Sequence, residues 1–166
     1  MSLKEKIKQE LNEALKGGRA TEVSVLRLIN AAVLNKEKEK RYKVGKEKPG
    51  LSETELQEGS QLTGEEMLEV VSGEAKKRRE SIVEFEKGGR NELALKEKSE
   101  LEILQKYLPE QMSGEDLKNL VVKAVEKVGA KSPQDMGKVM QELMPQVKGK
   151  ADGNLVSKIV KELLGK

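Results

Sequence analysis

Cysteine and histidine are both absent from this chain, and tryptophan with them. Without thiol or imidazole there is no disulfide, no thiolate nucleophile, no imidazole base and none of the usual zinc ligands. The lack of cysteine is also compatible with a reducing compartment. Aromatic side chains are confined to Tyr42, Phe85 and Tyr107. That scarcity removes the stacking platform on which single-stranded nucleic acid is read, and it removes a residue class that favours strands. No apolar run approaches the roughly 18 residues a membrane span needs. The start, Met1-Ser2-Leu3-Lys4-Glu5, lacks the apolar core of a signal peptide. These absences predict a soluble, cytoplasmic protein with no membrane association, no metal and no cofactor.

What is present is charge and helix-forming residues. Charged side chains make up 37% of the chain and hydrophobic ones 36%, a balance suited to thin amphipathic bundles. The charge is unevenly placed. Residues 1–111 carry 22 basic and 22 acidic side chains, whereas residues 112–166 carry 10 and 7, so the whole net charge of +3 lies in the last third. A small basic excess of this kind fits a polyanion partner.

Periodicity and capping signals divide the chain into seven predicted helices. Ser2 and Glu5 form a capping box, followed by the stripe Leu3, Ile7, Leu11, Ala14 and Leu15, and Gly17-Gly18 ends it. A second helix from Thr21 carries a broad apolar surface (Val23, Val25, Leu26, Leu28, Ile29, Ala32, Val33), as a central helix would. It runs on into a solvated, highly charged extension from Asn35 that Gly45, Pro49 and Gly50 should break, leaving 45–62 as a mobile loop. Thr63 and Glu66 open a third helix with Met67, Val71, Ala75, Arg78, Ile82 and Phe85 in register. Arg78 sits inside that stripe, so its stem should pack while its guanidinium reaches a carboxylate or solvent. A fourth helix starts near Asn91, with Leu93, Leu101, Ile103, Leu104, Tyr107 and Leu108, and Pro109 ends it. Glu100 and Glu102 read as charges on its solvated face. Three shorter helices follow, begun by Ser113, by Ser132-Pro133 and by Asp152, with Pro145 limiting the middle one. The expectation is an all-α protein of two helical subdomains. Residues 1–108 form an N-terminal multi-helix bundle and residues 109–166 a small C-terminal three-helix bundle.

One internal echo is visible: Lys16-Gly17-Gly18-Arg19 recurs as Lys87-Gly88-Gly89-Arg90. Both copies follow a helix. They read either as two glycine caps needing positive φ or as two backbone nests that bind phosphate with the help of Arg19 and Arg90.

Three stretches carry a family likeness. They are Glu84-Phe85-Glu86-Lys87-Gly88-Gly89-Arg90-Asn91-Glu92-Leu93; Glu100 to Gln111, ending Tyr107-Leu108-Pro109-Glu110-Gln111; and Asp135-Met136-Gly137-Lys138-Val139-Met140, continued by Lys148-Gly149-Lys150-Ala151-Asp152-Gly153. Together they resemble the YqeY family over nearly the whole chain. The C-terminal part also resembles the tail domain of the B subunit of glutamyl-tRNA(Gln) amidotransferase, which engages tRNA while the amidation chemistry sits elsewhere. Where that tail commonly has Asn-Pro, this chain has Asp152-Gly153, which brings a negative charge close to the RNA-facing surface. The resemblance implies two helical subdomains and an association with glutamine-dependent carbon–nitrogen ligation on tRNA. Its implied partners are tRNA and amidotransferase or aminoacyl-tRNA synthetase proteins.

The residues offer no chemistry of their own for such a reaction. There is no Ser-Ser-Lys arrangement, no activated cysteine, no G-x-x-x-x-G-K-[ST] and no G-x-G-x-x-G, so no catalytic residue is expected. The leading expectation is a non-catalytic accessory protein that binds tRNA by shape and backbone. Lys138, Lys148, Gly149, Lys150, Lys158 and Lys161 are the candidate contacts, and phosphate would approach near the start of the last helix. The alternative is a helical protein–protein interaction module, with the charged helix end near residues 35–44 as its docking element.

Overall fold

The computed structural model describes residues 1–165. They form eight α-helices: α1 (Leu3–Lys16), α2 (Ala20–Glu47), α3 (Glu53–Gly59), α4 (Gly64–Lys87), α5 (Asn91–Gln105), α6 (Gly114–Val128), α7 (Met136–Val147) and α8 (Gly153–Leu164). A short 3-10 turn, Pro133–Asp135, leads into α7, and no strand occurs among the described residues. The all-helical reading of the sequence therefore holds. The chain divides into two compact units, Met1–Tyr107 and Leu108–Lys166.

In the first unit the capping boxes at Ser2/Glu5 and Thr63/Glu66 close as the sequence suggests, each carboxylate receiving the cap residue's own N–H. A third box lies at Ser52, which accepts from Glu55 N at 3.3 Å while Glu55 receives Ser52 N at 2.8 Å. This box corrects the expected loop over 45–62. α2 passes through Gly45 to Glu47, and α3 then folds back, with Leu56 packing beside Gly45 and Val44 beside Gly59. Glycine at 45 costs helix propensity, yet α2 runs through it, with Leu56 of α3 against it.

α2 is the central element, burying Val25, Leu26, Ile29 and Val33 against its neighbours. α4 and α5 pair along their length, and between them lies a correction to the reading of α5. Glu100 is buried, not solvated, and receives Arg78 Nε at 2.9 Å. Arg78 also lies 3.3 Å from Glu97 and 3.9 Å from Glu74, so one guanidinium serves three carboxylates. Glu74 takes a further cation from Lys77 at 2.6 Å. Nothing local in α5 announces this. An acid becomes buried there because an arginine on another helix neutralises it. The shift of stripe also leaves Leu93 exposed and Ala94 inside, and on α1 Leu15 is exposed while Ile7 and Ala14 are buried.

At the end of this unit, the Tyr107 hydroxyl donates to Glu10, and Lys6 stands 5.7 Å from the ring centroid. Burial first, then the Glu10 carboxylate, push the phenol well above its ordinary range, so it remains a donor.

The second unit is simpler. α6, α7 and α8 enclose one apolar cluster that includes Leu117, Val121, Val139, Leu143, Val147, Val156 and Val160. Pro145 does not end α7, which continues to Val147. Pro145 costs a backbone donor in the last turn, but Leu143 and Val147 on either side are buried and hold that turn in place.

Candidate nucleic-acid interface

The candidate site is built around the turn between α7 and α8. Lys148 closes α7 by donating its N–H to Met144 O at 3.0 Å. Gly149 then takes φ of +74°, a left-handed conformation that other residues rarely accept, and a Cβ there would also meet the Pro109 ring at 3.5 Å. Lys150 N and Ala151 N both return to Val147 O.

The segment that begins this unit straps the turn from outside. Met112 N donates to Lys150 O at 2.8 Å, and Gln111 Nε2 donates to Gly149 O at 2.7 Å and to Pro109 O at 2.9 Å. The carbonyls of the turn thus face inward and are satisfied, while the Lys148 and Lys150 side chains are left exposed. Two of the sequence stretches that carry the family likeness, Tyr107–Gln111 and Lys148–Gly153, meet in this strap. The sequence reading placed Gln111 in a stretch of family likeness but gave neither it nor Met112 a contact with this turn, because the contact spans 38 residues.

Asp152 caps α8, accepting from Asn154 N at 2.8 Å and Leu155 N at 3.3 Å. Its carboxylate is thereby engaged with the helix terminus, which offsets the negative charge that separates this chain from the Asn-Pro pattern. The same two bonds occupy N–H groups that an incoming phosphate would have used. Phosphate contact therefore falls to side chains.

The candidate lysines do not stand alike. Lys158 and Lys161 are exposed and share one face of α8, three residues apart. Neither they nor Lys150 has an ion-pair partner among the described residues. Lys138, on the first turn of α7, lies 3.4 Å from Asp135. The Lys131 and Ser132 backbone N–H groups also reach Asp135, and these hydrogen bonds together with Lys138 hold its carboxyl below the usual range.

The two Lys-Gly-Gly-Arg turns are nearly identical in geometry. Gly18 and Gly89 take φ of +64° and +68°. Arg19 N returns to Ala14 O at 3.0 Å and Arg90 N to Phe85 O at 2.8 Å, each a six-residue closure of the preceding helix. Gly17 N and Gly88 N likewise bond to Glu13 O and Glu84 O. These are the hydrogen bonds of helix caps. Arg19 further pairs with Glu22 at 2.9 Å.

A family model described as Yqey-like protein matches residues 4–164, across both units and the strap between α5 and α6. The chain belongs to the YqeY family. No curated protein matches it. Its YqeY architecture presents no group of three or more Cys, His, Asp or Glu placed to hold a metal among the described residues, and no described helix is long and apolar enough to cross a membrane.

Proposed function

We propose that this YqeY-family chain is a non-catalytic accessory protein that binds tRNA through its C-terminal unit, in association with glutamine-dependent amidation of tRNA. The single observation that supports this most is the set of exposed ammonium groups at Lys150, Lys158 and Lys161, which have no ion-pair partner among the described residues, beside a turn whose acid, Asp152, is engaged in capping. With so few aromatics, contact is to phosphate and backbone, with no base read. The link to amidation rests on the likeness of this unit to the amidotransferase tail domain. The 109–166 division is part of the same reading: the strap at Pro109–Met112 makes the basic turn a property of the C-terminal unit as a whole.

The test is fluorescence anisotropy with labelled tRNA on the intact chain at several salt concentrations. Three lysine–phosphate contacts give a slope of log affinity against log salt on the order of −3. The double variant Lys150→Glu, Lys158→Glu removes most of the affinity and leaves helix content unchanged, since both side chains are exposed. No affinity at low salt, or a double variant that binds like the parent, overturns the proposal.

A further inference from the structure

One face of α2 is left uncovered along its length. Ser24, Arg27, Ala31, Leu34, Lys38 and Tyr42 recur at spacings of three and four, and every one is exposed, Leu34 at 54% and Tyr42 at 65%. They lie opposite the buried side of the helix, which carries Val25, Leu26, Ile29 and Val33. At 1.5 Å per residue the stripe is about 27 Å long.

The stripe contains no acid. The carboxylates of α2 lie off it: Glu22 pairs with Arg19 and Lys106, Glu37 with Lys4 and Glu39 with Lys36, and Glu47 stands at the helix end beyond the stripe. Arg27 and Lys38, by contrast, have no ion-pair partner among the described residues. Lys46 adds a third cation, 4.8 Å from the Tyr42 ring centroid. The face therefore combines exposed apolar side chains with locally uncompensated positive charge, in a unit that carries 22 basic and 21 acidic side chains in all. Its small residues Ser24 and Ala31 allow a close neighbour. A groove towards α4 borders the stripe at Ala31; beside Leu28, Ala32, Val70 and Gly73 it carries Glu39, Glu69 and Glu74, so a partner's apolar side chains, and not its acids, would enter it.

We infer that this face of α2 docks an acidic amphipathic helix of a protein partner, with leucine-type side chains over Ala31 and Leu34 and carboxylates against Arg27 and Lys38. A second copy of the chain is a poor occupant: antiparallel pairing about the stripe's centre sets Arg27 of one copy against Lys38 of the other. An RNA duplex, at one charge per roughly 1.7 Å, is met by too few cations here and gains nothing from Leu34. The inference is independent of the RNA reading, because the stripe lies in the other unit and its test uses no RNA-binding variant.

The probe is a synthetic helix of about three heptads with leucine along its seam and glutamate on both flanks, paired with a twin carrying lysine on the flanks. Each is titrated into the intact, isotopically labelled chain, and backbone amide shifts are followed by nuclear magnetic resonance. The expected result is that the glutamate peptide shifts amides between Ser24 and Tyr42, and the lysine peptide does not. Leu34→Asp should abolish the shifts. The charge-swapped double variant Arg27→Glu, Lys38→Glu should invert the preference between the peptides, by on the order of tenfold. All three positions are exposed, so circular dichroism should report an unchanged fold. Equal binding of both peptides, no shift on α2, or a swapped variant that keeps its preference overturns the inference. So does a duplex RNA that shifts the same amides at lower concentration than the glutamate peptide.

Discussion

The two units of this chain solve the same problem, a helical bundle from a charge-rich sequence, in opposite ways. The first takes ions inside. Its buried polar side chains are Ser60, Glu74 and Glu100, and Arg78 stands among carboxylates from two helices. The second keeps a core of aliphatic residues, and none of its described charged side chains is buried. In the first unit many of the charges are spent on one another, and 22 basic side chains stand against 21 acidic ones. In the second, Lys150, Lys158 and Lys161 have no ion-pair partner among the described residues, and 10 basic side chains stand against 8 acidic ones. A charge-rich composition thus describes two different things: internal cement in one unit, surface potential in the other.

The sharpest way to break that comparison is Arg78→Met. It strands Glu74, Glu97 and Glu100 without their shared cation, and the expected loss is about 3–5 kcal/mol of stability, read by chemical denaturation. A loss below about 1 kcal/mol would mean that the network is ornamental and the two units are alike. In the second unit the equivalent blow must be apolar. Leu143→Ala removes a fully buried side chain and should cost about 2–5 kcal/mol by the same assay.

A smaller effect concerns helix starts. Ser52→Ala should cost about 1 kcal/mol and speed amide exchange over α3. Acid should act at related places. The carboxyls of Glu5 and Glu55 are lowered by hydrogen bonds from Ser2 and Ser52, and that of Glu66 by Lys40 first and then Thr63. A lowered folded-state value means that each contribution is present above the unfolded carboxylate range and lost as pH falls through the folded value, below roughly pH 4. Protection of the amides at the starts of α1, α3 and α4, measured against intrinsic exchange at each pH, should therefore fall in that window. The smallest expected change is Glu97→Gln. One oxygen of Glu97 is buried without a hydrogen bond, so removing its charge should leave stability unchanged or slightly raised. A large loss would show that all three acids are needed.

Much of the fold was legible because it is written locally. Capping boxes at Ser2 and Thr63, the glycine turns, and the stripes of α2, α6 and α8 each declare themselves within one or two helical turns. Failures came where distant residues decide. Gly45, Pro49 and Gly50 argued for a loop and drew attention from the Ser52–Glu55 box just beyond them. Glu100 looked like any surface acid until Arg78, 22 residues earlier, was placed beside it. Pro145 looked like a stop, but burial of Val147 outweighed it. The candidate site followed the same rule. Periodicity placed Lys158 and Lys161 on the outer face of α8, and Gly149 marked the turn, yet the strap by Gln111 and Met112 is tertiary, and no capping or periodicity signal in either segment pairs them.

The bond from Tyr107 to Glu10 joins positions 97 residues apart, and it has a consequence for synthesis. Helices emerge from the ribosome in order, and α1 is made long before the phenol that caps its packing. Until residue 107 is free, a nascent first unit lacks both this clasp and the cation that Lys6 lends to the ring, and Arg78 waits through the same interval for the acids of α5. The first unit is thus completed late and all at once, by the arrival of its last helix. The second unit needs only α6, α7 and α8 and closes once α8 has emerged.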